Sequence, residues 1–133
     1  MINLMTEISK EVKLMFYIDI VVGLIYAFQY LVIPDILYSG EPYYNAHLTR
    51  LWGGTIVIFI IAGIISLKRA DWETLKPVWE VLILWFVMIV ILSFAAFAYF
   101  PFTPVGLARH VIDTIATTIL TVVNIIIYYR AIK

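Results

Sequence analysis

Two short stretches carry side chains able to do chemistry in an otherwise largely apolar chain. YNAHLTRLWGG (Tyr44–Gly54) holds His47 and Arg50, and GLARHVIDT (Gly106–Thr114) holds Arg109, His110 and Asp113. His47 and Arg50 are three residues apart, so on a helix they share a face. The same holds for His110 with Asp113, and for Arg109 with Asp113 at a spacing of four. Together they offer two arginine forks suited to a phosphate or carboxylate, two imidazoles and one carboxylate. That set predicts a binding site for the polar head of an amphiphile, a lipid or an isoprenoid quinone. The alternatives are His47 and His110 as paired axial ligands of a haem, or His47, His110, Asp113 and Glu41 as a metal set. A His/Asp pair doing proton-transfer chemistry on a lipophilic substrate is a third. Against all of these stands a plain reading, in which Arg50 and Arg109 reach to headgroups or pair with Asp113 and Glu41.

The elements that must position these residues follow from composition. Of the 133 residues, 64% are hydrophobic and 14% are charged, against roughly 25% charged in an ordinary soluble domain. One core of this size cannot hide that much apolar surface, whereas a lipid solvent can. Four segments approach the ~20 apolar residues that a span requires. They run over about 14–33, 48–67, 78–100 and 105–129. Pro34 ends the first, Pro77 opens the third, and Pro101 separates the third from the fourth. Short connectors predict a single all-α domain over 1–133, an up-down four-helix transmembrane bundle. The starts of spans two and four then fall at one end, as diagonal partners.

Lys10, Lys13, Lys68, Arg69, Lys76, Arg130 and Lys133 fall at one end of this topology, and only Arg50 and Arg109 at the other. The positive-inside rule places the lysine-rich end and both termini in the cytoplasm, within the cell membrane. Trp72 and Trp79 at one end, and Tyr38, Tyr43, Tyr44 and Trp52 at the other, read as interfacial belts. The N-terminal MINLMTEISKEVKLMF shows no small-residue cleavage site, so no removable signal peptide is expected. Zero formal net charge gives no reason to expect a nucleic-acid partner. The absence of cysteine excludes disulfides and thiol chemistry.

Inside the spans, His110, Thr114, Thr117, Thr121, Asn124 and Tyr128 recur at three and four, which makes a polar stripe on span four. Threonines on such a stripe commonly bond their own i−4 carbonyls. Span one offers Asp19, Gly23, Tyr26 and Tyr30 on one face, with Lys13 or Lys76 as neutralising partners for Asp19. Span two offers Gly54, Ala62, Gly63 and Ser66 for close helix contact. No nucleophile–base pair, phosphate loop or zinc-helix motif occurs. Span interiors lack the proline of broken transporter helices.

The Leu-x-Arg-Leu-x-Gly-Gly pattern at Leu48–Gly54, the KRADWETLKP turn before span three and the order and length of the spans resemble the DoxX-like group of small four-span bacterial and archaeal membrane proteins. The arginine that often opens the first span of that group is not found here. The resemblance implies a four-helix membrane bundle, in some members a subunit of a quinol-linked oxidase. It implies no catalytic residue. A quinone- or lipid-associated accessory role, in a homo-oligomer or a larger membrane complex, is the corresponding expectation.

Overall fold

The structure, a computed structural model, describes residues 7–133; residues 1–6 of the stretch read for a signal peptide lie outside the described residues. The chain forms α1 (Lys10–Leu31), α2 (Pro34–Tyr38), α3 (Ala46–Arg69), α4 (Trp72–Tyr99) and α5 (Pro104–Ile132). The four long helices are apolar and long enough to cross a membrane. The fold is all-α, and the chain is an integral membrane protein.

Each long helix begins with a polar cap that an apolar-run criterion passes over. Ser9, Asn45, Asp71 and Thr103 accept the backbone N–H of Val12, Leu48, Thr74 and Gly106 respectively, three residues on. The largest correction falls on span three. Asp71 starts α4 six residues before Pro77, which sits inside the second turn. A proline there removes one backbone donor near a helix end, where the freed carbonyl can be solvated. The expected loop after span one also contains a helix, α2, opened by Pro34 at its first position.

α1 packs against α3 and α5, and α4 against the same two, which leaves α3 and α5 on one diagonal as expected. Side-chain pairs fix the antiparallel sense. Glu11 at the start of α1 meets Arg130 at the end of α5 at 2.9 Å, and Tyr26 meets Asp113 nearer the other end. The contact between α1 and α3 is closest where glycine removes the side chain. A Cβ at Gly53 would lie 2.8 Å from Leu31 Cγ and 3.0 Å from Tyr30 Cβ, and Gly63 faces Phe16 and Ile20. Gly54, expected in that role, faces nothing within 4 Å. The close approach falls one residue earlier.

The interior is filled unevenly. Where α1 begins, Val12, Met15 and Phe16 meet Leu75, Trp79, Leu82 and Phe86 across the bundle. From Phe16 and Asp19 toward the α2 end the helices leave partly open space between them instead. Outside, residues such as Ile58 at 68%, Leu84 at 67% and Val105 at 67% are exposed. Such apolar faces are stable when hydrocarbon is the solvent.

Candidate functional site

The α2 end is organised by Glu41. This carboxylate is buried, accepts the Thr103 backbone N–H at 3.0 Å, and also takes the Thr103 hydroxyl. It lies at the N-terminus of α5, where the helix dipole favours negative charge. Gly106 leaves the room, because a Cβ there would overlap the Glu41 carboxylate. So fixed, α5 presents Arg109, His110 and Asp113 within its first three turns.

Each makes a specific contact. Arg109 donates to the Leu37 carbonyl in the last turn of α2, and its guanidinium lies 5.1 Å from the centroid of the Tyr38 ring. His110 Nε2 is 2.8 Å from the Ser93 carbonyl. A carbonyl only accepts, so Nε2 carries the hydrogen, and in the neutral ring Nδ1 keeps its lone pair. Phe97 and Phe102 hold the ring at centroid distances of 4.7 and 4.6 Å. Asp113 accepts the Tyr26 hydroxyl at 2.8 Å, tying α5 to α1. The expected partner, Arg109, is committed to α2. Tyr38 is buried between these groups. Burial, with the nearby Asp113 charge adding to it, pushes its phenol up to about 12.

The five residues read as one cluster divide in two. Arg109, His110 and Asp113 line a common cavity; Arg50 and His47 do not. Arg50 turns to Asp35 at 3.0 Å, an exposed pair that Tyr44 joins by donating to the same carboxylate. The Tyr44 hydroxyl, and then Arg50, hold the Asp35 carboxyl below its ordinary value. His47 is exposed on α3. With His47 outside the cavity and His110 Nε2 committed to Ser93, the two imidazoles do not fit paired haem ligation. The metal set fails as well, because Glu41 is consumed in capping and no three His, Asp or Glu side chains converge among the described residues.

Two adjoining cavities run inward from the α2 end of the bundle, the deeper one reaching Phe16, Asp19 and Leu82. The mouth, about 250 Å³, is bounded by Tyr30, Tyr38, Tyr43, Arg109, His110 and Asp113. The deeper one, about 310 Å³, lies between all four long helices. Tyr30, Ala96, Phe100, His110 and Asp113 line both, so these residues form the neck. The deeper walls are aromatic, with Phe59 and Trp85 stacked at 4.5 Å and Trp52 5.6 Å from Trp85.

At the far end of this cavity stands a polar chain that the sequence reading assigned differently. Trp79, expected at an interface, is fully buried, and its indole donates to Asn124 Oδ1 at 2.8 Å. Asn124 donates to Asp19 Oδ1 at 2.8 Å and to the Leu120 carbonyl at 2.9 Å. Asp19 is therefore held by an amide and not by Lys13 or Lys76. Asn124 on the polar stripe was the available signal, but nothing in the spacing pairs it with a tryptophan forty-five residues away. The threonines of the stripe bond their own i−4 carbonyls: Thr114 to His110 at 2.7 Å, Thr121 to Thr117 at 2.7 Å, and Thr117 to Asp113. Comparison with protein-family models, curated proteins and solved structures returns no match.

Proposed function

We propose that the protein binds an amphiphile from the lipid phase, with the polar head at the neck and the chain among the deeper aromatic walls. The carrying observation is that His110 and Asp113 line both cavities, and so stand where a polar mouth meets an apolar interior. A largely apolar pocket with a few convergent polar groups is the usual form of a small-molecule site. The neck offers mainly acceptors, His110 Nδ1 and the Asp113 carboxylate, with Arg109 donating nearby. Hydroxyls on a ring satisfy such acceptors, so the isoprenoid quinol is the best-fitting head. The basic residues orient the α2 end outward, so the site opens to the outer leaflet of the cell membrane. The resemblance of Leu48–Gly54 to DoxX-like proteins, some of them subunits of a quinol-linked oxidase, agrees with this reading.

The test is quinol binding to the purified chain, followed by tryptophan fluorescence. Asp113→Asn and His110→Ala should each weaken binding by about tenfold, the scale of one buried hydrogen bond to a charged or polar group. Their melting temperatures should fall far less than that of a core variant. Binding unchanged in both variants overturns the assignment.

A further inference from the structure

A quinol head at the neck leaves most of a long isoprenoid chain without a place. The deeper cavity is about 310 Å³, at the low end of the roughly 300–1,000 Å³ of pockets that enclose a drug-sized ligand. It takes the first isoprene units, and the rest must lie elsewhere. Met15, Leu75 and Trp79, the next layer inward, are packed in the core and do not line it. Turning the chain back through the polar mouth would put its methylenes in water. The remaining route is sideways, into hydrocarbon.

The four seams between neighbouring long helices differ in how they are held. α1 and α3 close on each other at Gly23 and Gly53, where a Cβ would press on Ile60 and on Leu31. The α4–α5 seam is crossed by His110 to Ser93, Trp79 to Asn124 and Tyr128 to Glu80. The α1–α5 seam is crossed by Tyr26 to Asp113, Asn124 to Asp19 and Arg130 to Glu11. Between α3 and α4, Trp85 meets Phe59 and Trp52, and no hydrogen bond or ion pair joins these two helices among the described residues.

A residue that lines a cavity and is also exposed marks an opening. Leu48 lines the mouth, Trp52 and Leu92 line the deeper cavity, and Phe100 lines both; all four are exposed. They fall in the first two turns of α3 and the last part of α4, at the α2 end. Ala116 is also exposed beside the deeper cavity, but the hydrogen bonds of Asp113 and Asn124 to α1 cross that seam on either side of it.

We propose that the α3–α4 seam is a lateral portal through which the isoprenoid chain of the bound quinol passes into the bilayer. Leu48 and Trp52 form one side of it, and Leu92 and Phe100 the other. This rests on the quinol reading and adds where the chain goes. The portal opens at the same end as the mouth, so the same leaflet supplies head and chain.

The probes are two radiolabelled quinols with the same head, one carrying a single isoprene unit and one carrying eight, each counted on the immobilised full chain. Leu92→Trp fills the seam. It should weaken the long-chain quinol by about tenfold, the scale of an overpacked contact, and leave the short-chain quinol nearly unchanged. Ile91→Trp, exposed on the same helix but lining neither cavity, should affect neither probe. Should Leu92→Trp fail to fold, Leu48→Trp on the facing helix should give the same split. Unchanged long-chain binding in the filled seam overturns the portal, as does an equal loss of both probes. Loss of the long chain in Ala116→Trp instead would move the exit between α1 and α5 and also overturn it. In each of these cases the short-chain quinol still binds the unaltered chain, and the quinol site stands. If neither quinol binds the unaltered chain, the quinol reading fails and the portal with it.

Discussion

At the scale of the residue, buried Ser66, Thr114 and Thr121 bond carbonyls of their own helix, whereas Trp79, Asn124 and Asp19 form a chain between helices in which the stability of each depends on the next. Asn124 is the clearest case. Replacing it with leucine orphans the Trp79 indole and leaves both Asp19 oxygens without a donor, at roughly 1–3 kcal/mol for each buried group left unpaired. Asn124→Leu should therefore lower unfolding stability in micelles by more than Trp79→Phe, which frees only one amide oxygen. The double variant should cost less than the sum, because the second change removes a group already orphaned. A strictly additive result would mean that the indole and the amide act independently. Exposed charges behave differently. Asp35 has its carboxyl lowered from 3.8 by the Tyr44 hydroxyl and then Arg50. A folded value below the unfolded one stabilises at higher pH and is lost on acidification through the folded value. The Asp35–Arg50–Tyr44 clamp should thus be constant from neutrality down to about pH 4 and release below it. Arg50→Ala should flatten that acid limb, as read by the fluorescence of the loop tyrosines across a pH titration.

At the scale of the element, the helices are set by caps at their ends and by glycine at their crossings. Gly53→Ala must push Leu31 and Tyr30 away from α3, and overpacking of this kind costs roughly 1–3 kcal/mol. Gly54→Ala, one position on, meets open space and should be close to neutral. Comparing the two melting temperatures checks which face of α3 meets α1. Ala70, which ends α3, holds φ 51° in the left-handed region, where an L side chain is penalised and glycine is not. Ala70→Gly should therefore raise stability slightly. These two sites show what the sequence made legible. The spans were readable because lipid demands long apolar runs. The inward face of span one was readable because Asp19, Gly23, Tyr26 and Tyr30 recur at helical spacing. The choice between Gly53 and Gly54 was not, since one residue rotates the helix by about 100° and both fit a small-residue pattern. The division of the charged cluster was hidden for a related reason. His47 and Arg50 share a face of α3 with each other, but spacing within one helix does not say which neighbour that face meets. The contacts of Glu41 and Asp35 depend on where α2 folds back, and its five residues carry too little periodicity to announce a helix.

At the scale of the whole molecule, one asymmetry ties the fold to the proposed function. The end where α1 begins is packed with apolar side chains, while the α2 end holds the mouth and the neck, from which the deeper cavity runs inward as far as Phe16 and Asp19. A ligand entering through the mouth comes from the side of the membrane that the α2 end faces, so orientation decides which leaflet supplies it. The positive-inside rule predicts that this end is outside. The chain contains no cysteine, so single cysteines report position without background. Ser39 is exposed beside α2, Glu73 is exposed at the opposite end, and Lys133 marks the end of the chain. In intact cells a membrane-impermeant maleimide should label Ser39→Cys. Glu73→Cys and Lys133→Cys should react only after permeabilisation. Both of the latter must behave alike, because an even number of crossings separates Glu73 from Lys133. Their disagreement would break the four-span topology itself. The inverse pattern, with Glu73→Cys and Lys133→Cys labelled in intact cells and Ser39→Cys protected, would keep the bundle and turn it over. The mouth would then open to the cytoplasmic leaflet, and the proposed quinol site would draw on the opposite face of the membrane.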